Sequence, residues 1–324
     1  MGGRERGKKE KKEEGKGKKN KRKEGKGKEG LKIGFWNVAG VRGKDEDFWE
    51  RVKKWDVIGL VETWVEEKEW KQWERRIPKE FKWWMQGARR EEKKGRAKGG
   101  IWIGIRRGLE GREEKGEEEE GIMIKEIKWG EERWKIGAVY IREKMGKVLG
   151  KIKDRAEEKK GEKGWIVGGD FNARTGEKGA LEDGEEEVRR TSKDKIINKQ
   201  GEELIKWVEE EGWGIMNGVK KGDEKGEATF TGGRGETVID YVIGDRGAWE
   251  KIERLEVGEE IDSDHQSVTV WRKRREEQKG KEIGKGMDGK DRLVGKSKGG
   301  IQEENNGSWR RGCGQGIRKI DKKN

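Results

Sequence analysis

A 324-residue chain with 46% charged and 28% hydrophobic residues, 55 glycines and one proline sits, on average, near the composition of chains too polar to fold. The charge is uneven: residues 1–30 carry +8 and residues 273–324 another +8, leaving −3 of the total +13 for 31–272. One cysteine, Cys313, excludes an intrachain disulfide, and no apolar run approaches the roughly 20 residues of a membrane span, so an intracellular protein off the membrane is expected.

Residues 1–30 are nearly all Lys, Glu, Gly and Arg without apolar periodicity, which predicts a disordered basic arm. Within it, KKNKRK (18–23) reads as a nuclear address, and no apolar stretch resembles a secretory signal. From residue 31 the pattern changes to short apolar runs bounded by Gly or charge. The runs KIGFWNV (32–38), VIGLVET (57–63), GGIWIGI (99–105), GIMIKEIKW (121–129), WKIGAVYI (134–141) and WIVGGDF (165–171) read as strands. So do WGIMNG (213–218), ATFTG (228–232), TVIDYVIG (237–244) and SVTVW (267–271). Helices are expected over 45–54, 66–76, 146–159 and 199–211; the last spaces Leu204, Ile205 and Val208 along one face and stops at Gly212. Many strands and few helices predict one α/β domain on two sheets over 31–272, followed by a second disordered basic tail at 273–324.

Several polar residues stand at the ends of these apolar runs: Asn37 in GFWNVAG, Glu62 in GLVETW, Tyr140 in AVYI, Asp170 and Asn172 in GGDFNAR, and Asp264–His265 in SDHQS. Each has a plain reading. Glu62 would be the first solvated residue after a strand, GGDFN an Asx-turn that stops one, and Tyr140 a half-buried strand residue. If the strand continues past Asp170, that acid and Asn172 share one side. Asp240, inside VIDYVIG, faces away from Ile239 and Tyr241; buried there it needs a partner, and an imidazole would serve. His265 is the only histidine of the chain.

In this order and spacing, Asn…Glu…Tyr…GDxN…IDY…SDH resembles the endonuclease/exonuclease/phosphatase superfamily, which includes apurinic endonucleases and DNase I. The likeness spans residues 31–271. GGDFNARTG, RTSKDKIINKQGEELIKWVEEEGWGIMNG and ATFTGGRGETVIDYV are similar to the endonucleases of non-LTR retrotransposons. The resemblance implies a four-layer α/β sandwich with two packed mixed β-sheets and a site at one rim. It implies Glu62 as ligand of Mg²⁺ or Mn²⁺ with Asp264 in or near its shell, and Asp170 orienting or deprotonating the attacking water with Asn172 holding it. It further implies His265 stabilising the scissile phosphate, Asp240 fixing the imidazole tautomer, and Asn37 and Tyr140 touching phosphate oxygens. The implied activity is metal-dependent phosphodiester hydrolysis, as a DNA-nicking endonuclease of retrotransposon origin working in the nucleus. A phosphatase or RNase of the same fold, or a decayed nucleic-acid-binding domain, are the alternatives. Two departures stand out: Ala39 replaces an acid common two residues after the motif asparagine, and Tyr140 is followed by IREK in place of a proline-containing loop. No Tyr-x-Asp-Asp polymerase box is present, so an isolated nuclease domain, a truncated element or a domesticated copy is expected.

Overall fold

The computed structural model describes residues 30–90, 95–113, 120–157, 164–181, 188–259 and 262–272; the two expected tails beyond Gly30 and Arg272, KKNKRK and Cys313 lie outside these residues. In chain order the first half comprises β1 (Leu31–Asn37), α1 (Glu46–Val52), β2 (Val57–Val61), α2 (Trp70–Trp73), β3 (Phe81–Gln86), β4 (Ile101–Arg106), β5 (Glu110–Glu113), β6 (Ile122–Trp129) and β7 (Glu132–Tyr140). The second half continues with α3 (Met145–Glu157), β8 (Trp165–Asp170), α4 (Lys199–Glu211), β9 (Trp213–Ile215), β10 (Phe230–Gly232), β11 (Gly235–Thr237), β12 (Asp240–Asp245), α5 (Arg246–Lys251), β13 (Ile252–Val257) and β14 (Val268–Arg272).

Two six-stranded sheets result, in the orders β13-β14-β1-β2-β4-β3 and β5-β6-β7-β8-β12-β9, with β10 and β11 as a separate hairpin. Both are mixed: β1 runs parallel to β2 and β7 parallel to β8, while the other pairs are antiparallel. The alternation of each strand sorts its side chains between two cores. Ile33, Phe35, Val57, Ile101 and Ile103 of the first sheet meet Ile127, Trp134, Ile136, Ile166 and Val242 of the second in the central layer. Outside the first sheet, Trp36, Ile58, Leu60 and Trp102 pack on Phe48 and Val52 of α1 and on Trp73. Outside the second, Val139, Val167, Tyr241 and Ile243 pack on Val148, Leu149 and Ile152 of α3 and on Leu204 and Val208 of α4. The architecture is the four-layer helix–sheet–sheet–helix sandwich.

Local chemistry explains the element ends. Asn198 caps α4 by accepting from the Gly201 N–H, and Gly212 closes it in the left-handed conformation at φ +66. Asp45 caps α1 through the Phe48 N–H. The expected helix at 66–76 is instead a 3-10 turn, Glu67–Glu69, leading into the single turn of α2. The expected strand at 99–105 begins at Ile101, because Gly99 and Gly100 take φ +74 and +89. Sequence reading missed β3, β5, β11, β13 and α5. Of these, β3 (FKWWMQ) carried an aromatic strand signal, whereas GET and EGRE offer no apolar pattern. Among the described residues no helix is long and apolar enough to cross a membrane.

The glycine pair of GGDFN has two separate causes. A Cβ on Gly168 would stand 2.3 Å from Phe35 Cδ2, so the glycine admits the Phe35 ring between the sheets. Gly169 takes φ +134, and a Cβ there would meet the Val139 carbonyl oxygen at 2.2 Å. Gly168→Ala therefore overpacks the central layer and is expected to cost about 1–3 kcal/mol, seen as a lower urea midpoint at unchanged slope. An unaltered midpoint would contradict this account of how the sheets close on each other.

Candidate active site

The strand directions collect the polar residues at one rim. β1 and β2 run side by side, and so do β7 and β8, which places Asn37, Glu62, Tyr140 and Asp170 at strand C-terminal ends. β12 and β14 run against β8 and β1, so Asp240 and the SDH segment enter at the same end. Register makes the pairing specific: Asp170 is opposite both Tyr140 and Asp240.

Three buried groups form the centre. His265 Nδ1 donates to Asp240 Oδ2 at 2.9 Å, and its Nε2 lies 3.9 Å from Asp170 Oδ2. Asn37 Nδ2 donates to Asp170 Oδ2 at 2.9 Å, which ties the two sheets together across the rim. Asp170 and Asp240 are each 2% exposed and His265 6%. Burial pushes the Asp170 carboxyl up to about 7, aided by the like charge of Asp240 and opposed by His265. Burial likewise raises Asp240, against the pull of the imidazole. For His265 burial favours the neutral ring, but Asp240, then Asp170 and Asp264, outweigh it and lift the imidazole to about 9. One contact opposes this: Asn37 Nδ2 sits 3.2 Å from Nε2, where it can donate only to a neutral ring. Two desolvated carboxylates acting on one imidazole are the stronger influence, so the charged ring prevails. Its Nε2–H then faces a competing amide donor and is best satisfied by an incoming anion.

The supporting residues come from strand ends and the segments that flank them. Ser263 Oγ donates to the Asn37 carbonyl at 2.8 Å and accepts from the His265 N–H at 3.1 Å, which fixes the SDH segment to β1. Trp36 Nε1 donates to the His265 carbonyl, and the Phe230 ring stacks 4.7 Å from the imidazole. Thr229 Oγ1 accepts from the Ile239 and Asp240 N–H groups, both at 3.0 Å. Ser263, Thr229 and Phe230 lie inside SDH and ATFTG, which were singled out; Trp36 showed only as a core aromatic.

The remaining expected residues are arranged less tightly. Glu62 follows β2 at φ +56, and its Oε2 accepts from Trp64 Nε1. Burial raises its carboxyl, while Trp64, Arg96, His265 and Arg142 work the other way. Asp264 is exposed, its backbone carbonyl accepting from the Thr231 N–H. Tyr140 is half-buried and lines a cavity of about 510 Å³, whose wall includes Arg89, Arg90, Lys98, Arg142, Lys144 and Lys147. Among the described residues no hydrogen bond joins Glu62, Asp264 or Tyr140 to the central three. The strand does not continue beyond Asp170: Asn172 is exposed at φ +48, and its N–H donates to Asp170 Oδ1 at 2.9 Å. Asn172 therefore orients Asp170 through its backbone, as in an Asx-turn, and its side chain is not held beside Asp170 by a strand face.

Asp170, Asp240 and His265 offer ligand atoms within 4.8 Å of one another. A hydrogen-bonded proton already accounts for the Nδ1–Oδ2 pair, so hard oxygens toward solvent are the better donors for Mg²⁺ or Mn²⁺. Among the described residues Glu62 Oε1 makes no hydrogen bond, Asp264 is exposed, and both lie close enough to His265 to influence or feel its charge. That donor set fits a divalent cation, with Ala39 adding no oxygen.

Residues 134–269 match the family described as "Endonuclease-reverse transcriptase". The fold is similar to the endonuclease domain of TRAS1, a telomere-specific non-LTR retrotransposon, at 19% identity and TM-score 0.55, covering 75% of this chain and 98% of that one. It is also similar to the AP endonuclease LMAP from Leishmania major (14% identity, TM-score 0.57, 76% of this chain and 89% of that one). An AP endonuclease from Archaeoglobus fulgidus shares 16% identity at TM-score 0.50, over 75% of this chain and 99% of that one. No curated protein matches the sequence. The motif order, the family match over residues 134–269 and the two-sheet sandwich agree: the chain is similar to the endonuclease/exonuclease/phosphatase superfamily and shares its fold.

Proposed function

We propose that this chain is a divalent-metal-dependent phosphodiester hydrolase that nicks one strand of DNA, of retrotransposon origin, with 31–272 as its catalytic body. The observation that carries this reading is the His265 imidazole held 3.9 Å from Asp170 Oδ2, between Asp240 and Asn37. An anion-binding group beside a proton acceptor is what hydrolysis of a phosphodiester requires.

In this mechanism Asp170, its Oδ1 held by the Asn172 N–H and its Oδ2 by Asn37, orients the attacking water and takes its proton. A carboxyl raised toward 7 is a stronger base than an ordinary aspartate, and about half of it is ionised at neutral pH. His265 donates through Nε2 to the charge that grows on the phosphate oxygens, and Asp240 keeps the ring in that tautomer. Asn37 and Tyr140 contact the phosphate, and Asn172 helps to hold the water. Glu62 and Asp264 would hold Mg²⁺ or Mn²⁺, which supplies Lewis acidity at the phosphate when bound. The cation-lined cavity beside Tyr140 suits the flanking backbone, and the basic tails add phosphate contacts that salt weakens. On this reading the protein works in the nucleus, for which the basic segment KKNKRK is the support.

Three outcomes test the reading. The purified chain relaxes supercoiled plasmid with Mg²⁺ or Mn²⁺ and stops on addition of EDTA. Asp170→Ala lowers the nicking rate about 10²–10⁴-fold and His265→Ala about 10²–10³-fold, and full activity in either variant would refute the assignment. The nicking rate first rises with pH as Asp170 ionises and then falls as His265 loses its proton.

The lone histidine also gives a single imidazole signal by NMR. In metal-free protein it is expected to titrate near 9, and Asp240→Asn to bring it down. The folded value lies above that of the unfolded chain, about 6.5. The stabilisation is therefore complete below 6.5 and disappears as pH rises toward 9, so the urea midpoint should fall across that window. Titration at or below 6.5 would remove the cationic phosphate donor from the mechanism.

A further inference from the structure

We propose that Trp64 is a positioning residue for Glu62, its indole N–H selecting which carboxylate oxygen faces the cation. This rests on the assignment of Glu62 as a metal ligand. Trp64 Nε1 donates to Glu62 Oε2 at 2.5 Å, leaving Oε1 as the oxygen without a hydrogen bond. An indole N–H can only donate, so Trp64 cannot ligate a cation and cannot accept the proton of a neutral carboxyl. It turns Glu62 so that Oε1 is the oxygen left for a hard cation.

The indole is itself fixed from several directions. Glu62 and Trp64 both take left-handed φ, +56 and +58, around the fully buried Thr63. Backbone bonds hold this unusual segment: the Gly40 and Val41 N–H groups donate to the Glu62 and Thr63 carbonyls, and the Thr63 and Trp64 N–H groups donate to Gly100 and Gly99. Gly40 gives the ring its space, since a Cβ there would stand 2.1 Å from Trp64 Cε3. The Arg96 guanidinium lies 3.6 Å from the ring centroid, and its charge also favours ionised Glu62. Ala39, left-handed at φ +45, brings no oxygen to this corner, so the orientation of Glu62 alone decides what the end of β2 offers a cation. Non-glycine residues held in left-handed conformations cluster where function demands a particular side-chain direction.

The test is Mn²⁺ binding to the full chain, followed by electron paramagnetic resonance of the free ion in the absence of DNA. Glu62→Gln should abolish or severely weaken binding. Trp64→Phe, which keeps a ring against Arg96 but removes the N–H, should weaken it about 10–100-fold, the usual effect of losing a group that orients a ligand. Trp64→His, with a ring N–H restored, should recover part of the loss. Gly40→Ala, which displaces the indole without touching it chemically, should mimic Trp64→Phe and stands in for it if that variant does not fold. Unchanged Mn²⁺ affinity in Trp64→Phe, alongside loss in Glu62→Gln, overturns the positioning role and leaves Glu62 a ligand. Unchanged affinity in Glu62→Gln removes the ligand assignment and the proposal with it.

Discussion

Two carboxylates face each other across β8 and β12 in the dry end of a sheet pair, and one imidazole from the opposite sheet stands between them and a heavy desolvation cost. Asp170 and Asp240 could not both be charged there without His265, and the imidazole would not be charged without them. The three groups therefore behave as one titrating unit. Because His265 is anchored through Ser263 and Trp36 to β1, this unit also joins the sheets at their rim, and Asn37 adds a second bridge to Asp170. The same arrangement that lets these groups be buried prepares them to meet an anion.

The position of the rim follows from strand direction. Two parallel pairs, one in each sheet, point their C-terminal ends the same way, and the antiparallel partners β12 and β14 start there. Immediately beyond those ends the backbone is unusual: Ala39, Glu62 and Asn172 all take left-handed φ. Such conformations cost about 1–3 kcal/mol each and persist only where the surroundings over-determine them. Here the surroundings are the tightly closed central layer, with Phe35 seated on Gly168 directly beneath Asp170 in the chain, and the backbone bonds that pin the Glu62–Trp64 segment.

Charge is distributed to match. The body from 31 to 272 is slightly acidic, so it has no general attraction for nucleic acid. Positive charge is concentrated at the cavity wall next to Tyr140, where six basic side chains outnumber Glu67, Glu120 and Glu143, and beyond the body, in segments of +8 at either end. IREK, which departs from the pattern after Tyr140, is what brings Arg142 to that wall.

Much of this was legible beforehand because it depends on local pattern. The strand runs, the 199–211 helix with its Asn198 and Gly212 caps, and the polar residue closing each run are properties of short segments, set by side-chain periodicity and capping chemistry. The need of Asp240 for a partner, an imidazole being one that would serve, could be read from its place between Ile239 and Tyr241. What tertiary structure alone decided is everything that joins distant segments. That includes the strand order, the termination of β8 at Asp170 so that Asn172 turns outward, the Trp64 hydrogen bond to Glu62, and the strands GET and EGRE, which pair through backbone groups that no side-chain pattern announces. Periodicity specifies which face of a strand is dry; only packing specifies what stands opposite it.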